Sequence, residues 1–501
     1  MAVLSGLEPK EVFYYFEELT KIPHESGNTK AISDYVVSFA REKGLEYYQD
    51  ENNNVILIKE ASAGLETKEP VIIQGHLDMV CAKDADVTID FAKDALPLTV
   101  EDGFVTCKGT TLGGDDGIAV AYGLALLADD SLKHPRLEAV FTVDEEIGLL
   151  GAEKIDVSML KGRLMLNIDS DEDGIFLASC AGGMTAVCEL PVNRIPAEGA
   201  CMRLVVDGLQ GGHSGGDIHK ERGNAGKLMA RALTEIKKTT KFHLAGFTGG
   251  LQDNAIPARA EAIIYVPEEA VKTVKKAISA VDKVIRKEYA SSDANICVRV
   301  TETDAELLRI TSGSSETASD LPGTAPTAML DTASGEKVLF FLRNMPNGIQ
   351  HMSMDIAGLV ETSLNAGIYR LQPEKFSVTF SIRSSSSTRK EEVKERLSSF
   401  MEFLGGQMQV SGSYPAWEFQ KNSPLREKLF SVYEKLFGEK PELQAIHAGL
   451  ECGIFTSKIP KLDCVSFGPE NLDIHTPKER LNIASVEKYW KLLRSFLSEE
   501  Y

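Results

Sequence analysis

The sequence predicts an α/β domain on a mixed, largely parallel sheet, interrupted by an inserted α+β domain. Three observations predict it. Before residue 185, short apolar runs without polar alternation alternate with segments of helical apolar spacing, the pattern of strands covered on both faces. Near 185 the texture changes to strands of alternating polarity. Near 418 the first texture returns and runs to a C-terminal helix. The 501 residues leave room for about two to four domains. The expected boundaries are 1–186 and 418–501 for one domain in two parts, with 187–417 inserted between them.

The elements follow in order. Residues 9–20 and 29–43 carry helix-like spacing, parted by the breaker-rich IPHESGN. Residues 55–58 (VILI) and 71–80 (VIIQGHLDMV) read as strands. Residues 116–128 (DGIAVAYGLALLA) read as a buried helix, and 136–143 and 163–169 as buried strands. In the insertion, 202–210 and 258–266 are strand candidates, followed by an amphipathic helix over 267–289. A second set follows, with strands at 358–368 and 376–385 and a helix at 389–404. The two sets suggest two copies of one strand–helix unit, although no residue-level repeat proves it. Residues 310–336 are small, polar and Pro/Gly-bearing and predict a loop. The last helix is expected at 485–498.

Composition bounds the function. Hydrophobic residues at 43% and charged residues at 26% exclude a disordered or fibrous chain. The 54 basic and 74 acidic residues leave a net charge of -20, which repels phosphate backbones and anionic lipid. No nucleic-acid or membrane partner is expected. No apolar run reaches the ~20 residues of a membrane span, and the N-terminus does not read as a signal peptide. The eight cysteines, at 81, 107, 180, 188, 201, 297, 452 and 464, form no C-x-x-C pair. Reduced, mostly buried thiols in the cytoplasm are expected.

Four segments carry chemistry, three of them at the ends of buried strands, where open α/β sheets gather functional groups. In Gly75-His76-Leu77-Asp78, alternation along a strand points His76 and Asp78 to one side. Asp78 then either accepts from the second nitrogen of a metal-bound His76 or ligates directly. In Gly109-Thr110-Thr111-Leu112-Gly113-Gly114-Asp115-Asp116-Gly117, glycine permits close backbone approach, but there is no G-K-[ST] phosphate loop. Asp115 or Asp116 either caps the helix or binds a cation. Thr142-Val143-Asp144-Glu145-Glu146-Ile147-Gly148 sets three acids together, a solvated turn unless a cation compensates them. Neighbouring carboxylates splay apart, so one can ligate while another handles a proton. Asp169 closes the run LMLNI, as a ligand or as a cap of the next loop. With a late histidine, His475, these segments form a set suited to two divalent ions. Mixed nitrogen and oxygen ligands without cysteine accept zinc first, with manganese or cobalt as alternatives.

The motifs GHLDMV, GTTLGGDDGIAVA, FTVDEEIGLLGA, NIDSDEDG, GGHSGGDIHKERGNA and IHTPKERLNI, in this order, resemble those of the two-metal metallopeptidases that include carnosinases and carboxypeptidase-G-type enzymes. The nearest resemblance is to the branch that cleaves aminoacyl-histidine dipeptides. The resemblance runs from about residue 5 to 495, and none of the motif positions departs from the family pattern. It implies an exopeptidase-type catalytic domain with an inserted lid, and a homodimer formed through that lid. It implies two divalent metal ions per chain, one held by His76, Asp115 and Asp169 and the other by Asp115, Glu146 and His475, with Asp115 bridging. Glu145 is implied as general base, Asp78 as the residue orienting His76, and the Asp115–Asp116 peptide as cis. In the lid it implies His213 as oxyanion stabiliser and Asn254 and Arg383 as binders of the substrate carboxylate; Gly449 is implied as a backbone contact. The activity implied is hydrolysis of dipeptides, Xaa-His including β-Ala-His, by a hydroxide held between the metals. The alternative is an amidase or deacylase of N-acyl amino acids.

Overall fold

The buried apolar runs form the middle of an eight-stranded sheet. Its order is Glu46–Gln49, Val55–Lys59, Leu137–Thr142, Val71–His76, Leu164–Asn167, Asp463–Ser466, Ile175–Cys180, Glu442–Ile446. The pairs around Val71–His76 and Leu164–Asn167 are parallel, as is the edge pair Ile175–Cys180 with Glu442–Ile446. The pairs at the other edge, and Asp463–Ser466 with Ile175–Cys180, are antiparallel. Val71–His76 and Leu137–Thr142 are buried at every residue, as strands covered on both faces must be. Helices Lys10–Leu19, Gly114–Ala128, Pro424–Phe437 and Ile483–Ser498 contribute to one apolar core with these strands.

The computed structural model describes residues 2–303 and 327–498. The chain divides into two units, Met1–Cys180 with Trp417–Tyr501, and Ala181–Ala416. The expected boundaries at 186 and 417 thus shift to 180 and 416. The reason is the strand Gly182–Pro191, which runs through the first expected boundary and pairs along its length with Lys375–Ser384 in the second unit. At the junction Cys180 and Trp417 exchange backbone hydrogen bonds of 3.1 and 3.2 Å, each donating its N–H to the other's carbonyl.

The second unit is built on a nine-stranded antiparallel sheet. Residues 200–302 run strand, helix, strand, strand, helix, strand: Ala200–Asp207, Ala225–Lys237, His243–Gly249, Ala260–Val266, Val271–Glu288 and Cys297–Glu302. After the interruption come helix Thr332–Asn344, strands Gly348–Met352, Val360–Leu371 and Lys375–Ser384, helix Ser387–Leu404 and strand Gln407–Tyr414. This is the doubled strand–helix texture of the sequence. The expected loop over 310–336 lies outside the described residues as far as 326. Its remainder is not loop. A short strand, Ala328–Leu330, is followed by Asp331, whose side chain accepts from the N–H of Ser334 and starts the helix.

Among the described residues no helix is long and apolar enough to cross a membrane. All eight cysteines are free, and Cys452 and Cys464 bring their sulfurs to 3.3 Å.

Candidate metal centre and catalytic groups

Parallel register brings the candidate groups together. His76 lies beside Thr142, and Gln74 beside Asn167, so three strands release their next residues at one edge of the sheet. His76 is the last residue of its strand, four residues before the expected end at 80, because Met79 leaves the sheet to donate its N–H to the carbonyl of His24. Strand alternation therefore does not set the relation of His76 to Asp78. His76 Nδ1 lies 2.9 Å from the backbone oxygen of Asp78 and 3.6 Å from its carboxylate. That carboxylate accepts from Ser26 Oγ at 2.8 Å and from the N–H groups of Glu145 and Glu146 at 3.1 and 3.3 Å. Asp78 thus holds the acidic loop as well as facing the histidine.

The three consecutive acids do splay. Asp144, at φ 56°, turns its carboxylate to the N–H of Gly27 at 2.7 Å. Glu145 and Glu146 turn to the histidines. Glu145 Oε2 lies 4.0 Å from His76 Nε2, and Glu146 Oε1 lies 3.0 Å from His475 Nε2. Asp115 stands between the two halves. Its Oδ1 is 3.1 Å from His76 Nε2 and its Oδ2 3.1 Å from His475 Nε2. Asp169 Oδ1 lies 3.9 Å from His76 Nε2. Potential ligand atoms group within 4.8 Å of one another in three sets: Asp115, Glu146 and His475; His76, Glu145 and Glu146; and His76, Asp116 and Asp169. The Asp115–Asp116 peptide is cis.

Electrostatics shows what this cluster lacks. Asp115 is pulled below the usual carboxylate range; burial opposes this, but hydrogen bonds from His475 and His76 prevail. Burial first, then neighbouring carboxylates, drives Asp169 and Asp116 well above that range. Glu145 is pushed up to about 8 by burial, with Glu451, Glu146 and Asp115 adding to it and His76 opposing. His475 is pushed up to about 10 by its bonds to Asp115 and Glu146. So many buried acids cannot all ionise unless positive charge joins them. Asp169 Oδ2 is buried with no hydrogen-bond partner. Divalent cations fit this set: they satisfy the orphan oxygen and supply the missing charge.

Sequence reasoning missed two acids, Glu451 and Glu479, and left the role of Asp116 open. Asp116 is 2% exposed and accepts from the N–H of His76 at 3.1 Å. Glu451, fully buried, accepts from Gln74 Nε2 at 2.5 Å and Thr142 Oγ1 at 2.6 Å, while Asn167 Nδ2 donates to Gln74 Oε1 at 2.6 Å. One carboxyl thereby ties together the three strands that carry the site. Glu479 caps the helix Gly114–Ala128, a task the sequence leaves to Asp115 or Asp116; no helix-capping side-chain bond comes from its own N-cap, Gly113. Only the placement of Glu479 four residues after His475 hinted at it.

In the second unit, His213 pairs with Ala255 in a short ladder, and Ser214 donates its N–H to the carbonyl of Asn254. His213 Nδ1 accepts from the N–H groups of Gly215 and Gly216 at 3.3 and 3.1 Å, which puts the ring proton on Nε2. Arg383 Nη2 lies 3.5 Å from that Nε2, so two donors face each other. Burial, then the Arg383 charge, keeps the His213 pKa low and the ring neutral. Arg383 Nε is buried without a partner. Asn254 is exposed beside this group, and Gly449 lies in the first unit, just before the helix Glu451–Lys458.

The sequence profile of peptidase family M20/M25/M40 matches residues 72–499. The cytosol non-specific dipeptidase of Escherichia coli (strain K12) is 35% identical over 501 residues, 100% of this chain and 99% of that protein. The crystal structure of aminoacylhistidine dipeptidase from Vibrio alginolyticus is 34% identical, covers 99% of both chains and superposes with a TM-score of 0.88. Aminopeptidase PepT from Bacillus cereus, at 15% identity, TM-score 0.53 and 98% coverage of both chains, shares the fold. A profile match over most of the sequence, joined to a full-length relative above 30% identity, shows that the chain belongs to peptidase family M20/M25/M40.

Proposed function

We propose that this chain is a metal-dependent dipeptidase of the cytoplasm that cleaves Xaa-His dipeptides, β-Ala-His among them. The observation that carries the reading is Asp115, whose two oxygens each lie 3.1 Å from a different histidine. This placement between two histidines supports reading Asp115 as the carboxylate that two cations would share. His76, Asp115 and Asp169 would hold one, and Asp115, Glu146 and His475 the other; zinc suits this ligand set first, with manganese or cobalt next. When bound, such ions lower the pKa of water toward about 7 and polarise a carbonyl.

The chain's own groups do the rest. Glu145 takes the proton of the attacking water and returns it to the leaving amine. Asp78 holds Glu145 in place through the backbone N–H of that residue. His213 offers its Nε2 proton to the oxyanion, a contribution worth about 3–4 kcal/mol. Arg383, with Asn254, binds the substrate's C-terminal carboxylate through paired hydrogen bonds, and Gly449 contacts the substrate through its backbone. The unit Ala181–Ala416 acts as the lid and as the dimer surface.

The test is Glu145→Gln, which should retain fold and metal and lose about 10²–10⁴-fold in kcat on β-Ala-His. Near-normal turnover would remove Glu145 as the base. The wild type is assayed in parallel on dipeptides and on N-acetyl and N-succinyl amino acids. Turnover of the acylated amino acids alone would replace the dipeptidase reading with a deacylase.

A further inference from the structure

Glu479 lies outside the ligand set, yet its carboxylate has five donors. Oε2 accepts from the N–H groups of Leu112 at 2.7 Å and Gly113 at 3.1 Å. Oε1 accepts from the N–H groups of Gly114 at 2.8 Å and Asp115 at 3.3 Å, and from Asn471 Nδ2 at 3.1 Å. Four consecutive backbone N–H groups therefore converge on one buried anion, which is 2% exposed. Glycine makes this possible. Gly113 has φ 69°, and a Cβ at Gly114 would stand 2.7 Å from Asn471 Nδ2. The last donor in the series belongs to Asp115 itself. Glu479 is also four residues from His475, in a turn closed by its N–H to the carbonyl of Thr476 at 3.1 Å. One side chain thus joins the loop of the shared carboxylate to the loop of the histidine that faces it.

We propose that Glu479 is a positioning residue of the metal centre, aiming the Asp115 carboxylate so that its two oxygens serve two cations. The proposal rests on reading Asp115 as the shared ligand. The ionised carboxylate matters for its shape: two acceptor oxygens, with about four lone-pair sites between them, are shared among the five donors. A glutamine offers one acceptor oxygen and turns an NH₂ against two of the N–H groups, so the loop must shift and the aim of Asp115 with it.

The experiment titrates metal-stripped wild type, Glu479→Gln and Asn471→Ala with Zn²⁺ alone against a chromophoric chelator, with circular dichroism as the check on folding. Wild type should bind two ions per chain. Glu479→Gln should bind Zn²⁺ about 10–100-fold more weakly, the usual effect of losing a group that orients a ligand. Asn471→Ala, which removes one donor of the five, should shift affinity in the same direction by less. With excess Zn²⁺, the kcat of Glu479→Gln on a dipeptide should recover toward wild type at unchanged KM. Wild-type Zn²⁺ affinity in folded Glu479→Gln overturns the proposal. If that variant does not fold, wild-type affinity in Asn471→Ala overturns it. A wild type that takes up no Zn²⁺ overturns it at the root. A wild type that binds two ions and cleaves no dipeptide removes the dipeptidase reading and leaves the positioning role standing.

Discussion

Replacing Glu451 with glutamine should change how stability depends on pH, and the size of the change follows from the structure. Glu451 is fully buried, and burial, partly offset by the hydrogen bond from Thr142, pushes its pKa up from 4.5 to about 7. The folded chain therefore holds a proton here that the unfolded chain has released between those two values. The stabilising contribution is complete below 4.5 and is lost as pH rises through about 7. The interval corresponds to about 3 kcal/mol. Glutamine does not titrate, and its carbonyl can take over the bonds from Gln74 and Thr142. Glu451→Gln should thus match the wild type near pH 4.5 and exceed it by about 3 kcal/mol above pH 7.

The assay is urea unfolding of metal-stripped protein from about pH 5 to about pH 8, since bound cations would themselves favour the ionised acid. Both tryptophans, Trp417 and Trp490, lie in the first unit, so their fluorescence reports the unit that contains Glu451. Parallel curves for the two proteins across that range would refute the reasoning. Glu451→Ala is the contrasting case. It abandons two buried donors at about 1–3 kcal/mol each and should be less stable at every pH.

Two further outcomes are expected. Arg383→Ala should raise KM for dipeptides with little change in kcat, because carboxylate binding precedes the transition state; an unchanged KM would count against the assignment. Gly75→Ala should lower stability by about 1–3 kcal/mol in urea, because its Cβ would stand 2.5 Å from both Ala119 Cβ and Asp116 Oδ2; a neutral substitution would mean that this wall yields.

Much of this was legible from residue order because its causes are local. The strand Val71–His76 and the helix Ile483–Ser498 announce themselves by runs and spacing, and acids at strand ends stand out against apolar neighbours. What escaped has distant causes. The bond from Gly114 to Glu479 spans 365 positions, and that from Gln74 to Glu451 spans 377. A single glutamate in a polar loop carries no periodic signal, so only the fold shows it to be buried. His76 and Asp78 do face each other, but not through strand alternation: two residues apart means the same face only while the strand lasts, and this one stops at His76. The helix Thr332–Asn344 was hidden because its first turn, TASGEK, has the composition of the loop before it.

The paired N–H and carbonyl groups of Cys180 and Trp417 bear on how such an architecture arises. The host chain departs and re-enters on a single rung, so its two parts are already neighbours without their long detour. A guest spliced between such points spares the host any rearrangement, whether it is a short turn or the 236 residues of Ala181–Ala416. Closing a longer excursion costs only logarithmically more chain entropy. Size is therefore a weak barrier to acquiring or exchanging a guest at this seam.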